Sequence, residues 1–328
     1  MDRRTALSAL GAALAAMLAP AALAQPLAGR QLRFVVGYPA GGVADFSART
    51  AAEGLRHEAG ITAIVENRPG ASGNIALDFV ARQAAEAGVF GVFSNSLFTT
   101  NPFVPQLASQ TVDPFKDMVP VAAMADMILV LAASAHLGVK TLDGFLAEAR
   151  SRTPEKRLRI GLAGVGTPHH MAALLLQREA GLDLTLVPYK GGAPMIADAA
   201  GGHVDAVFTT IPVGGPMVDS GKLNWIAIVQ PTEVKSLPGI PSMVEVLKGA
   251  SVPSWLGVFA PANTPKDIVE AVHKAMTAVV NDPDIAAKLR KNGLEPLSLS
   301  HAQTVELVSE EAKFMKDFLD KIKLDFAT

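Results

Sequence analysis

From Leu32 onward the chain keeps returning to one pattern: a short apolar run, a glycine-bearing turn, then a helical segment. Leu32-Arg33-Phe34-Val35-Val36 reads as a buried strand, and a helix follows from about Val43 to His57. Thr62 to Val65, Val89 to Phe93, Met127 to Ala132, Leu158 to Leu162, Leu184 to Pro188, Val204 to Phe208 and Leu223 to Val229 are further strands. Helices are expected over Asn74 to Ala87 and over Thr141 to Arg152, the second with Thr141 as its N-cap. Strands that alternate with helices across short loops build a mainly parallel sheet covered by helices on both faces. Such a fold is α/β. The last ~65 residues differ, with helical periodicity over Pro265 to Val280, Pro283 to Asn292 and His301 to Ile322. They read as a helical cap on one lobe. No internal repeat or low-complexity linker occurs, so any division into two lobes must be made by strands that cross over.

Composition narrows the function. Hydrophobic residues make up 49% and charged residues 18%, enough to bury a full core. The net charge is -2 with no long basic run, which argues against a nucleic-acid surface. The absence of cysteine excludes disulfides, thiolate metal sites, a Cys nucleophile and a lipid anchor on Cys. At the N-terminus, Arg3 and Arg4 precede an apolar run from Ala6 to Ala19, too short to span a bilayer comfortably. Ala22-Leu23-Ala24 is a small-x-small cleavage site before Gln25. Residues 1–24 therefore read as an export signal, by the general route or a twin-arginine one. The mature chain is expected to be soluble, monomeric and periplasmic.

Three loops share one design: each leaves a strand, passes through glycines and enters a helix. The first is Gly37-Tyr38-Pro39-Ala40-Gly41-Gly42, the second Gly161 to His170, the third Pro188-Tyr189-Lys190-Gly191-Gly192-Ala193-Pro194. Glycine lets backbone N–H groups face outward at close range, and a helix start adds unpaired N–H groups and the positive end of its dipole. Such a loop either binds an anion or is simply a tight turn. In the second, Thr167 is placed as N-cap and Pro168 as the first helical residue. Its G-x-x-G-x-G order is neither the dinucleotide fingerprint nor a phosphate-binding P-loop, so a small carboxylate suits it better than a nucleotide. His169 and His170 point about 100° apart on a helix and cannot share one metal; singly they read as surface or capping residues. Lys190 either pairs with an anionic ligand or is a solvated loop lysine. Asp45 either complements the helix dipole or accepts a hydrogen bond from ligand. Thr209 and Thr210, after a strand and before Pro212, either offer hydroxyls to a cleft or form a plain loop. Ligands of open α/β sheets sit beyond the carboxyl ends of strands, where all three loops lie. No nucleophile elbow, H-E-x-x-H or paired-acid arrangement is evident, so a binder is favoured over an enzyme, with no cofactor and no metal.

Six segments, in order, carry a resemblance. Pro39-Ala40-Gly41-Gly42-Val43-Ala44-Asp45 with Ala48-Arg49, Val65-Glu66-Asn67-Arg68-Pro69-Gly70-Ala71-Ser72-Gly73-Asn74, and Gly164-Val165-Gly166-Thr167 with His170 are the first three. Val187-Pro188-Tyr189-Lys190-Gly191, Leu237 to Ser242, and Ser254 to Pro265 complete the set. From about Leu32 to Lys323 the chain resembles the solute-binding proteins of tripartite tricarboxylate transporters, the Bug family. The resemblance implies a two-lobe periplasmic binding protein of type II, a Venus flytrap. Its lobes would comprise 27–126 with 256–328, and 127–255, with crossings near Met127 and Trp255. It implies a small carboxylate ligand delivered to integral-membrane transporter subunits, and a site drawn from Tyr38, Gly41, Gly42, Asp45, Asn95, Ser96, Ala163, Gly164, Gly166, Thr167, His170, Lys190, Thr209 and Thr210. Two departures matter. Family members often carry Asp near Thr209, so a ligand ammonium would lack a partner here. A loop that often reads G-T-S-G-T is here Ser94-Asn95-Ser96-Leu97-Phe98, a more apolar wall. The ligand expected is a monocarboxylate or dicarboxylate with an apolar body. A ligand sensor of the same fold and an exported hydrolase are the competing functions.

Overall fold

The computed structural model describes residues 27, 29–85, 88–230, 234, 236–248 and 252–322; the signal expected over 1–24 lies outside them. β1 (Gln31–Val36) leads into α1 (Val43–Ala59), followed by β2 (Thr62–Asn67), α2 (Asn74–Ala81), β3 (Val89–Ser94) and the short α3 (Ser96–Thr99) and α4 (Pro114–Asp117). β4 (Met118–Met127) and β5 (Leu129–Ser134) are separated by Ile128 alone. Then come α5 (Leu142–Ser151), β6 (Leu158–Leu162), α6 (Pro168–Glu179), β7 (Leu184–Pro188), α7 (Gly192–Ala200), β8 (Ala206–Thr210), α8 (Ile211–Asp219) and β9 (Leu223–Ile228). The chain closes with β10 (Trp255–Pro261), α9 (Lys266–Asn281), α10 (Pro283–Lys291), β11 (Leu294–Pro296) and α11 (His301–Ile322).

The strands form two sheets, in the orders β11-β4-β10-β3-β1-β2 and β7-β6-β8-β5-β9. Each has a parallel trio, β2-β1-β3 in one and β7-β6-β8 in the other. Beside each trio lies one reversed strand, β10 or β5, antiparallel to both its neighbours. The sheets are therefore mixed, a correction to the mainly parallel sheet expected. The reason is topological. β5 and β10 are the first strands after the chain passes from one sheet to the other, so each enters its sheet from the opposite side.

Burial follows this order. β3, β5 and β10 are buried along their whole length and read as continuous apolar runs, as strands covered on both faces must. β2, at a sheet edge, alternates. α1 buries Ala44, Ala48, Ala51 and Leu55, a stripe at helical spacing, and ends at Gly60, whose φ of 64° lets its N–H reach Leu55 O. Thr141 caps α5 as expected, accepting from the Gly144 N–H at 3.1 Å.

The structure corrects three other local expectations. The helix from Asn74 stops at Ala81. β8 runs on through Thr209 and Thr210, which are strand residues and not loop. Of the C-terminal helices, α9 and α10 cover the core of the first sheet as expected, but α11 does not stay on one lobe: its Val308 packs with Trp255 and Phe259 beside the first sheet, while Met315, Phe318 and Leu319 pack into the core of the second. Twenty-two residues give α11 a length of about 33 Å, enough to bridge both lobes. No helix among the described residues is long and apolar enough to cross a membrane.

Candidate ligand-binding cleft

Four strands, β1, β6, β7 and β8, each hand the chain to a helix at the interface between the lobes. Val43 and Ala44 of α1, Pro168 and His169 of α6, Gly192 of α7 and Val213 of α8 line one cavity there, so four helix N-termini converge on it. It encloses about 470 Å³ of space not occupied by protein atoms, part of it open to solvent. Tyr38, Gly42, Ser94, Met127, Ala163, Thr167, Thr209, Thr210 and Leu256 complete the described lining. None of these side chains is charged at neutral pH.

The caps are arranged to leave donors available. Gly42, Gly191 and Thr210 occupy N-cap positions without a side-chain hydrogen bond to their helices. On α6, by contrast, Thr167 Oγ1 accepts from the His170 N–H at 3.4 Å and donates to Gly164 O at 2.7 Å. Thr209 Oγ1, Thr210 Oγ1 and His169 Nδ1 are buried without a hydrogen-bond partner. Unpaired buried polar atoms are uncommon, and three of them belong to residues lining this cavity. Uncapped N-termini and free hydroxyls are what a carboxylate needs, and no fixed charge is required to hold it.

The remaining candidate residues fall behind or beside the cavity. Asp45 turns away from it: Oδ2 accepts from the Gly41 N–H and Arg49 Nε, each at 3.0 Å. Its Oδ1 lies 2.9 Å from Arg49 Nη2, an ionic contact whose angles do not make a hydrogen bond. Burial pushes this carboxyl up, but hydrogen bonds from Arg49 and Gly41 outweigh it and keep Asp45 ionised. It thus organises the first loop. Asn95 faces the strand crossing, donating to Pro253 O and Glu311 Oε2, each at 3.2 Å. Ser96 is tied to Ser94 Oγ. The Gly166 N–H donates to His170 Nδ1 at 3.0 Å. Lys190 and Gly164 line an adjacent cavity. Val43, Ala44, Ser94, Met127, Pro168, His169, Gly192, Val213 and Leu256 line the cavity without being among the residues expected there. The Thr-x-Pro at Thr210 to Pro212 was the local signal for a fourth helix start.

The lobes approach closely where glycines face each other's loops. A Cβ on Gly191 would lie 2.7 Å from Pro39 Cδ, one on Gly164 3.2 Å from Ser72 Oγ, and one on Gly166 2.4 Å from Asn101 Oδ1. Gly191 also has φ 136°, a region disfavoured for side-chain-bearing residues. Gly191→Ala is expected to weaken ligand binding about tenfold, of order 1.4 kcal/mol. Isothermal titration of G191A, P39A and the double variant checks this. If removing the Pro39 ring restores no affinity, backbone strain at 191 and not lobe contact is responsible.

Both adjacent histidines are buried, a correction to the surface placement expected. Burial takes each imidazole down to about 4, so both are neutral at pH 7. Their folded values lie below the unfolded value of about 6.5, so their stabilising contribution is complete above that pH. It is lost as pH falls towards 4. Asp126 opposes this: burial, with the Glu295 charge, pushes it up to about 6, so the folded state gains as it protonates between about pH 6 and 4. Glu311, pushed up by burial, opposes in the same sense, and His273, pushed down by burial, adds to the loss; the two deeply buried histidines still outweigh the carboxyls, since the Asp126 residue keeps solvent contact. Stability should therefore fall by a few kcal/mol, on the order of 3, between pH 6.5 and 4. Urea unfolding across that range measures it, and His169→Gln should flatten the slope; a stability rising towards pH 4 would refute the argument.

Two α/β lobes with an N–H-rich cavity between them, uncharged along its described lining, define a solute-binding protein. The family model of the tripartite tricarboxylate transporter family receptor matches residues 47–324, and the chain belongs to this family. It is similar to protein BugT of Bordetella pertussis, 28% identical over 315 residues, covering 95% of this chain and 94% of BugT. Rpa4515 of R. palustris, solved with adipate, is 29% identical with TM-score 0.85, over 90% of this chain and 98% of that one. MatC (Rpa3494) from Rhodopseudomonas palustris, solved with bound malate, is 28% identical with TM-score 0.79, over 88% of this chain and 99% of that one.

Proposed function

We propose that this protein captures a small carboxylate with an apolar body in the interlobe cavity and passes it to the membrane subunits of a tripartite-type transporter. The observation that carries this is the convergence of four helix N-termini and two unpaired threonine hydroxyls on a cavity whose described lining carries no charged side chain. Tyr38, Gly42, Ala163, Thr167, Thr209 and Thr210 are the ligand contacts proposed. Val43, Met127, Val213 and Leu256 receive the apolar body. Family membership and the adipate and malate in the two related structures support a carboxylate. The signal-like residues 1–24 support work in the periplasm. The two lobes, 27–126 with 256–328 save the end of α11, and 127–255 with that end packed on its core, close by a hinge at the crossings, the ligand favouring the closed state through its higher affinity for it.

A thermal-shift screen of the chain starting at Gln25 tests this, after unfolding and refolding to strip bound solute. A carboxylate at 100 times its Kd adds about 2.7 kcal/mol of stability. Carboxylates should raise the melting temperature and sugars should not. Glutamate should bind more weakly than glutarate, because no acid is among the described residues lining the cavity to meet its ammonium. A response to sugars alone, or to no carboxylate, would overturn the proposal.

A further inference from the structure

Asn101 stands just beyond α3, on the face of the first lobe that meets the second. The residue is 1% exposed, and neither Nδ2 nor Oδ1 of its carboxamide has a hydrogen-bond partner among the described residues. Part of its cover comes from the other lobe. A Cβ on Gly166, in the loop after β6, would lie 2.4 Å from Asn101 Oδ1 and 2.3 Å from Leu107 Cδ1. The second glycine loop therefore rests directly on this amide and its apolar neighbour. A cavity on the first lobe also borders Asn101, yet neither amide atom is open to solvent.

This orphan differs from those of the ligand cavity. Thr209 and Thr210 line that cavity, where a bound carboxylate can meet their hydroxyls; Asn101 is not among its described lining residues. A carboxamide both donates and accepts, and water meets all of these groups when it is exposed. Buried without partners, it loses that hydration and gains nothing in return. The local turn does not depend on the side chain, because Asn101 O accepts from the Val104 N–H at 3.2 Å and Thr100 holds the N-cap position. The polar group thus has no structural task in this arrangement, and the second lobe is what shuts it away.

We propose that Asn101 sets ligand affinity from outside the cavity: bringing the second loop down onto it strips the carboxamide of water without replacing the lost hydrogen bonds, and this cost holds the empty protein open until a ligand offsets it. This rests on the ligand-driven closure described above and adds to it the residue that biases the closing equilibrium. A protein whose binding-competent form is a minor one binds with an apparent affinity lowered by that fraction. The sign follows from hydration. An apolar side chain of similar shape favours closure, and a carboxylate, harder to desolvate than an amide, opposes it more strongly.

The test uses the chain starting at Gln25, as wild type, Asn101→Leu and Asn101→Asp. Small-angle X-ray scattering of the empty proteins reads closure with no ligand needed, and titration calorimetry with adipate and glutarate reads affinity. Empty N101L should have a smaller radius of gyration than wild type and should bind about tenfold tighter, mainly through slower release. At pH 8, N101D should stay open and bind about tenfold more weakly. Asn101→Ala, expected to act in the same direction as N101L, replaces it should that variant fail to fold. N101L no more compact than wild type, or no tighter on an acid that wild type binds, would overturn the inference while leaving the carboxylate function standing. Binding of neither acid by wild type, with empty N101L still the more compact, would instead overturn the carboxylate function and leave the closure penalty in place.

Discussion

Replacing Thr209 and Thr210 together by valine should cost the protein its ligand and make the empty protein more stable. Both side chains are essentially fully buried, and neither hydroxyl has a hydrogen-bond partner. Valine keeps the shape and the β-branching that suit strand β8 and removes only the oxygen. Thr210 does not cap α8 with its side chain, so no cap is lost. A hydrogen bond to a charged group contributes about 1.5–3 kcal/mol, so losing two should lower affinity at least about 100-fold. Each unpaired buried hydroxyl costs about 1 kcal/mol or more in the empty protein, so T209V/T210V should unfold at higher urea concentration. Titration calorimetry and urea unfolding on one preparation read both effects. Unchanged affinity would show that the hydroxyls do not meet the ligand. Lowered stability would show that ordered water already satisfies them.

Trp255→Ala should have the largest effect on folding. The indole is buried at the first residue of β10, where the chain returns to the first sheet. Its Nε1–H donates to Glu311 Oε2 at 2.8 Å, and the Asn95 N–H donates to Trp255 O at 3.0 Å. Its ring lies 6.2 Å from that of Phe259. One residue thus joins β3, β10 and the bridging helix α11. Removing a buried Trp side chain costs about 3–5 kcal/mol through lost transfer and a residual cavity. Glu311 adds to this. Burial already pushes its carboxyl up, against the hydrogen bonds from Trp255 and Asn95, and W255A removes the shorter of the two. A loss of about 4–5 kcal/mol is expected from urea unfolding, near the top of the range for point changes. Trp255→Phe should cost about 1–2 kcal/mol, since most packing remains and the hydrogen bond does not. A loss below about 1.5 kcal/mol for W255A would show that the crossing is held elsewhere.

Much of the local architecture was legible in the chain. Apolar runs bounded by glycine located most strands of the parallel trios, and Thr141, Thr167 and Pro168 marked helix starts because caps act within one turn. Long-range partners were less legible. β4 and β10 were not read as strands; β10 pairs with β3 and β4 from far along the chain. Asp45 was a reasonable ligand candidate by position in the first turn. Its carboxylate instead spends its acceptors on Gly41 and Arg49, which no spacing rule distinguishes from facing a ligand. The chain alone reads His169 as a surface or capping residue, yet it is buried and lines the cavity.

By itself, then, the sequence determined the kinds of element, the strand–glycine–helix loops with their exposed donors, and the family, because these are written in residues adjacent along the chain. The tertiary structure alone decided that four helix starts meet at one cavity whose described lining is uncharged, that Lys190 stands in the next one, and that α11 joins the lobes. Those facts rest on approaches such as Gly191 to Pro39 and Gly164 to Ser72. Residues so distant in sequence meet only when whole sheets pack, and no local pattern records which will do so.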